Sequence, residues 1–252
     1  MEPLLKSLNL PKFSLQKNKK GVRSLFSSKS YKTGQEILRL PTFETRRNIL
    51  NSNRKIADFC TKSKHYLTLS RNSQFACLLA LTRKNKKLAA YWEMLPFSKK
   101  ALAWNIWFWD PKKLKRKIKN DYFYQSYYDS LQKEYLTFGK IYDEYISIHL
   151  KMIFNMKRKT FQEKCMFFRV IVTSRGFGFY DEEVGSDIAL VPLLDLMNHG
   201  SQKEYNVEWS FDKTAFVMTA LKNIKKNEEL LDSYGYSKTD AQFLSYYGFV
   251  PS

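Results

Sequence analysis

An apolar run late in the chain, Val191-Pro192-Leu193-Leu194-Asp195-Leu196-Met197, stops on Asn198 and His199. About 35 residues later come Glu229-Leu230-Leu231-Asp232-Ser233-Tyr234-Gly235-Tyr236 and then Phe243-Leu244-Ser245-Tyr246-Tyr247-Gly248-Phe249-Val250. These stretches gather an amide, an imidazole, phenols and bare glycine backbone, groups that hydrogen-bond and stack around a ligand. Singly they carry little, since Asn-His is a common polar loop and Tyr-Gly a common strand end. Metal and thiol chemistry have less support. Cys60, Cys77 and Cys165 are widely spaced and form no C-x-x-C pair, which argues against a structural zinc site and for reduced thiols. Trp104-Asn105-Ile106-Trp107-Phe108-Trp109-Asp110-Pro111 runs into the basic stretch Lys112–Lys119. Aromatics beside cations can stack bases and hold phosphates; a buried aromatic cluster next to a solvated helix face is the simpler reading.

The elements that must position these groups follow from pattern. Residues 12–24 are rich in charges and breakers. Leu25-Phe26 and Tyr31–Pro41 read as two short strands of a hairpin-like start, turning at Lys32-Thr33-Gly34. From about residue 45 to 170 the pattern is helical. Ser73 is expected to cap a helix carrying Phe75, Leu78 and Leu79. Tyr124, Tyr127, Leu131, Tyr135, Phe138, Tyr142, Tyr145 and His149 recur at spacings of three and four, one face of an amphipathic helix. His149 on that stripe reads as a half-buried core histidine. Beyond 170, Val170–Val172, Ile188–Val191, Asn206–Trp209 and Ala215–Thr219 read as short strands between polar turns. The fold class is therefore α+β: one β fold of short strands with a large helical insertion, not independent domains.

Composition bounds the rest. The 252 residues are 44% hydrophobic and 16% aromatic, enough to bury a sizeable core. That excludes a disordered chain, a collagen-like chain and a disulfide scaffold. The chain holds no 18-residue apolar stretch, and Met1–Lys6 lacks a basic segment followed by an apolar run. Neither a membrane helix nor a secretory signal is expected, which leaves cytoplasm or nucleus. The net charge of +19 is uneven: residues 171–252 hold 7 basic and 12 acidic residues, residues 1–170 hold 36 and 12. A basic body joined to a mildly acidic end suggests an acidic or nucleic-acid-rich partner; a merely lysine-rich soluble surface explains it equally well.

Taken together, in this order and spacing, the C-terminal motifs resemble the SET-domain methyltransferases. More narrowly they resemble the branch typified by the Rubisco large-subunit methyltransferase, whose SET domain is split by a helical insert. Leu25–Pro41 looks like the opening SET strands, Tyr91-Trp92-Glu93-Met94-Leu95-Pro96 and Trp104 like landmarks of the insert, and Thr173-Ser174-Arg175 like the step that resumes the core. The resemblance implies one SET domain over 1–252, with opening strands at about 20–45, the insert at about 50–168 and the C-terminal core at about 169–252. It implies a monomer that uses S-adenosylmethionine (SAM) to methylate lysine in a protein substrate, acidic or ribosome-associated. Asn198 and His199 would hydrogen-bond the adenine and the methionine end. Phe249 and Tyr247 would wall the cofactor and substrate channel, and Arg175 would reach the cofactor carboxylate or the substrate backbone. Tyr234 would align the incoming amine.

Some positions depart from the family pattern. Its Gly-x-Gly cofactor loop corresponds here to Val22-Arg23-Ser24, with Gly21 one step early. Cβ atoms at 22 and 24 are expected to crowd a close backbone approach. Thr239-Asp240 stands where Ser-Asn opens the last helix, and can still cap it. The chain stops at Ser252, where relatives continue into a helical substrate-holding domain, so that domain is expected to be absent. Members that methylate histidine are expected to carry an Asn two residues after the Arg and a Trp before the Asp; here these are Phe177 and Leu194, next to Asp195. Apolar walls there would sheathe a lysine stem. The alternative is a catalytically silent SET-like module that docks on RNA or ribonucleoprotein through its basic insert.

Overall fold

The structure, a computed structural model, describes residues 4, 6, 13–82, 86–182, 185–235 and 237–251. Tyr236 of the first Tyr-Gly motif lies outside them. The chain opens with β1 (Ser14–Lys17) and β2 (Arg23–Phe26), an antiparallel hairpin. This corrects the expected start: β2 pairs with the preceding segment rather than with the following strand. The breaker-rich stretch 18–22 is itself the turn. Asn18 Oδ1 accepts from the backbone of Lys20 and Val22, and Gly21 supplies the left-handed φ of +74° that the turn requires.

Two three-stranded antiparallel sheets follow. One orders β3 (Glu36–Leu40), β9 (Phe216–Ala220) and β8 (Val207–Phe211). The other orders β4 (Glu44–Thr45), β6 (Gly185–Leu190) and β5 (Gly176–Asp181). Their faces meet through Phe43, Phe177, Phe179, Trp209, Phe211 and Phe216, with ring centroids 4.6–6.4 Å apart. Sheets this short hold few hydrogen bonds, and the aromatic seam adds roughly 0.5–1.5 kcal/mol per pair beyond area burial.

Between β4 and β5 runs the helical region: α1 (Arg46–Ser52), α2 (Arg54–Lys62), α3 (Lys64–Leu67), α4 (Arg71–Leu81), α5 (Ala89–Met94), α6 (Pro111–Asn120), α7 (Tyr122–Ile141) and α8 (Arg158–Arg175). The long core helices α4 and α8 pack on each other, burying Phe75, Leu78, Phe161, Cys165 and Met166. Val170–Val172, expected as a strand, forms the penultimate turn of α8. A β-branched run is compatible with a helix when all three side chains are buried, as here. The cap of α4 is Ser70, not Ser73. Ser73 instead donates to Glu134 (2.9 Å) and accepts from Arg169 (3.0 Å), joining α4, α7 and α8.

The aromatic stripe on α7 faces the core, but the helix continues as a π-helical segment over Tyr142–Leu150. Wider π spacing moves the buried face to Ile141, Ile146 and Leu150. His149 therefore turns outward and is exposed, beside the Tyr145 ring, rather than half-buried.

Candidate functional site

Two short C-terminal strands pair at the site. β7 (Asn198–His199) lies parallel to β10 (Leu231–Asp232), Asn198 opposite Leu231 and His199 opposite Asp232. Buried Asn206 clamps the free edge: its amide donates to Glu229 O (2.9 Å) and its carbonyl accepts from Leu231 N (3.0 Å). Tyr234, two residues past β10, folds back over β7. Its N–H donates to His199 Nδ1 (3.2 Å) and its hydroxyl to Met197 O (2.7 Å). The imidazole is thus an acceptor at Nδ1, and burial lowers its pKa, keeping it neutral. Asn198 Nδ2 reaches Arg23 O (3.2 Å) and Glu229 Oε1 (3.3 Å), and Glu229 also takes Asn18 Nδ2 (2.9 Å). One amide therefore ties the β1–β2 hairpin to the β7–β10 pair.

Around these groups opens a cleft of about 860 Å3. Its rim carries Asn18, Lys19, Lys20, Val22 and Arg23; its walls include Trp104, Tyr234, Tyr247 and Phe249. The last helix, α9 (Asp240–Tyr247), sets the aromatic wall. Thr239 and Gln242 form a reciprocal capping box at its start. Gly248 ends it at φ +82°, where a Cβ would sit 2.7 Å from the Trp104 ring. Asn105 and Tyr127 of the helical region bond to Ser245 O at 3.4 and 3.0 Å and fix α9 in place.

At the floor lies a buried polar knot. Asp195 accepts from Tyr91 Oη (2.8 Å) and from Arg175 Nη1 (2.8 Å at its carbonyl, 3.2 Å at Oδ2). Burial pushes the Asp195 carboxyl up, while Arg175 and Tyr91 pull it back. Its second oxygen, Oδ1, is buried without a partner. Leu193, two residues before, holds φ +69°, a strained value for a residue with a side chain. Burial also raises the Tyr234 and Tyr247 phenols, the latter to about 12, and raises the Asp232 carboxyl to about 7.

The SET domain family model matches residues 22–235. The chain belongs to the SET-domain family. It is 43% identical over 65 residues to SET domain-containing protein 8 of Schizosaccharomyces pombe (strain 972 / ATCC 24843), a match spanning 26% of this chain and 15% of that protein. Among solved structures it resembles the SET domain of LSMT bound to lysine and AdoHcy (TM-score 0.72) and Rubisco LSMT bound to AdoMet (TM-score 0.70). Both are 17% identical, and each alignment covers 99% of this chain and 56% of the other. The chain thus spans about half the length of these solved relatives, and at that identity the likeness concerns the fold.

Within this SET domain, Val22, Arg23, Arg175, Asp195, Asn198, His199, Tyr234, Tyr247 and Phe249 all line the one cleft. Gly21 sits in the adjoining turn, and Ser24 is fully buried behind it with an unpartnered hydroxyl. Of the two positions expected to crowd a close approach, Val22 lines the cleft and Ser24 does not. The left-handed φ falls on Gly21 instead, and the Ser24 side chain faces the interior rather than the cleft. Phe177 and Leu194 are not cleft-lining residues. Phe177 is 5.1 Å from Trp209 in the intersheet seam, because alternate side chains of β5 leave opposite faces, and Leu194 is buried in the core. Sequence reading missed Asn18, Glu229 and the buried Asp232. Only the Asn-Lys-Lys-Gly turn signature hinted at the first.

Proposed function

We propose that this SET-family chain is a SAM-dependent protein-lysine N-methyltransferase. The observation that carries the reading is the parallel pairing of β7 with β10, which sets Asn198-His199 and Tyr234 around a single aromatic cleft. The cleft fits the cofactor in size and in chemistry. Its volume lies in the range of cofactor pockets, and Asn198, His199 and Glu229 set polar groups among its aromatic rings. Its rings suit sulfonium and ammonium cations. When bound, SAM would supply a methyl group activated on a sulfonium.

The chain's own residues do the rest. Asn198, His199 and the Asn18–Arg23 turn hold the cofactor, and Arg175, already paired with Asp195, orders the floor. Tyr234 gives its hydroxyl proton to Met197 O, so its oxygen keeps lone pairs to accept an N–H from an arriving amine. Its raised pKa keeps the phenol neutral, so it orients the nucleophile rather than acting as a base. The amine must arrive deprotonated, and a desolvated aromatic channel favours that form. Lysine is preferred to histidine because Trp104, Tyr234 and Tyr247 line the cleft with rings that can sheathe an aliphatic stem. This support replaces the walls expected from Phe177 and Leu194. A solved structure of the same fold was obtained with lysine and AdoHcy. The substrate is a protein, acidic or ribosome-associated, met by a monomer in cytoplasm or nucleus; among the described residues no helix is long and apolar enough to cross a membrane.

Calorimetric titration with SAM is expected to show one site per chain. Labelled methyl groups incubated with a cell extract are expected on lysine, mapped by mass spectrometry. Absence of both binding and transfer would overturn the reading; label on histidine would overturn its lysine part.

A further inference from the structure

A second cavity, of about 470 Å3, opens on the helical region, between the α3–α4 connection and α7. It is lined by hydroxyls and amides, among them Thr68, Ser70, Gln125, Ser126, Ser130 and Thr137. Tyr122 stands at its lip and is 86% exposed. Two residues before Tyr122, α6 ends. Its Lys112, Lys113, Lys115, Arg116, Lys117 and Lys119 are all exposed, and no acidic residue lies between Pro111 and Asn120. At 100° per residue these cations cover an arc of roughly 200°. Leu114 lies outside the arc and packs against the core. Lys113 and Lys117 also stand over the Trp109 and Tyr124 rings, 4.0 and 5.4 Å from their centroids. A cation array, an exposed ring and a polar groove therefore follow one another along α6 and α7.

We infer that this surface binds single-stranded RNA. The phosphates lie on α6, and one unstacked base enters the groove with Tyr122 against its face. A cationic track beside a stacking ring is how single strands are held, and a groove of this volume has room for one nucleotide. Asp129, Lys133 and Glu134 also line the groove. Glu134 is held by Arg169 and Ser73, whereas Asp129, which takes Gln125 at Oδ1, keeps lone pairs to accept from a base amino group or a ribose 2′-hydroxyl, with Lys133 beside it for the adjoining phosphate. An acidic protein would use the cations but leave the ring and the groove without a role. The inference stands apart from methyl transfer, and its failure would leave that reading untouched.

The test is fluorescence anisotropy with an unstructured 12-nucleotide RNA across a salt series, on the whole chain. Affinity is expected to fall steeply with salt. Replacing the six α6 cations by Gln is expected to weaken binding at least tenfold, and Tyr122→Ala about fivefold or more with the salt slope unchanged. The pair Lys112→Gln/Arg116→Gln is expected to weaken binding more than the equally charged change Arg54→Gln/Lys55→Gln on α2. Three results would overturn the inference: affinity retained in the six-Gln variant, equal losses in the two paired variants, or a poly-glutamate peptide that competes as well as RNA. A DNA 12-mer bound as tightly would overturn the assignment to RNA.

Discussion

Tyr234 shows how one side chain can be structural and chemical together. Its hydroxyl bridges to Met197 O while its oxygen remains an acceptor at the cleft. Tyr234→Phe is expected to cost about 1 kcal/mol of stability, the worth of one hydrogen bond. It should leave SAM affinity within a few-fold and slow methyl transfer about 100-fold or more. Calorimetry and single-turnover transfer on the same preparation separate the two effects; near-normal turnover would remove Tyr234 from the role. Asp232 gives a pH signature. Burial raises its carboxyl from 3.8 to about 7, against one stabilising bond from Ser233 N (2.7 Å). Between these values the unfolded chain has already lost the proton that the folded chain still holds. Stability therefore falls as pH rises from about 4 to 7, by about 1.4 kcal/mol per unit at most, and is level above that window. Asp232→Asn keeps the acceptor and removes the charge. Urea unfolding at pH 5 and pH 8 should show the variant gaining on the parent by roughly 2 kcal/mol or more at the higher pH. An equal difference at both would mean that Asp232 titrates normally.

Among elements, α9 matters most to the cleft, and its end rests on a glycine. Gly248 needs φ +82° and a bare Cα, because an added Cβ would meet Trp104 Cε3 at 2.7 Å. Gly248→Ala is expected to cost about 2–3 kcal/mol, combining left-handed strain with displacement of a ring. Gly178 on β5 is the contrast, with ordinary φ and no atom within 4 Å of an added Cβ. Gly178→Ala should be neutral or stabilise by up to about 1 kcal/mol. Urea midpoints for the two variants check this, and similar costs would show that Trp104 yields freely. The consequence reaches the site, since Phe249 follows Gly248 directly and its ring lies 6.3 Å from that of Tyr234.

Across the whole molecule, charge opposes the fold. The net +19 repels itself, and α6 stacks like charges at Lys112–Arg116, Lys113–Lys117 and Lys115–Lys119. Each such pair at i,i+4 costs roughly 0.2–0.5 kcal/mol. Raising salt from about 20 to 200 mM shortens the Debye length to under 10 Å and should raise Tm. The six-Gln α6 variant should start with a higher Tm and respond less to salt. Scanning calorimetry at the two salt concentrations measures both. An unchanged Tm in the variant at low salt would mean that these charges are too well solvated to matter.

What could be read from sequence was whatever depends on local order and spacing. The Asn198-His199 and Tyr-Gly motifs named the family, Thr239 announced its cap, and the aromatic stripe marked the core face of α7. Backbone propensity and periodicity act over a few residues, so the chain carries them openly. The tertiary structure alone decided what depends on partners far apart. Val170–Val172 became helix with all three side chains buried, and Ser73 left capping for Glu134 and Arg169. His149 turned outward where the helix changed pitch. β2 chose β1, and Phe177 joined the intersheet seam rather than the cleft. Asn18, Glu229 and Asp232 gained their places only when β7 met β10, because burial and pairing across some 200 residues are properties of the packed chain and not of any window within it.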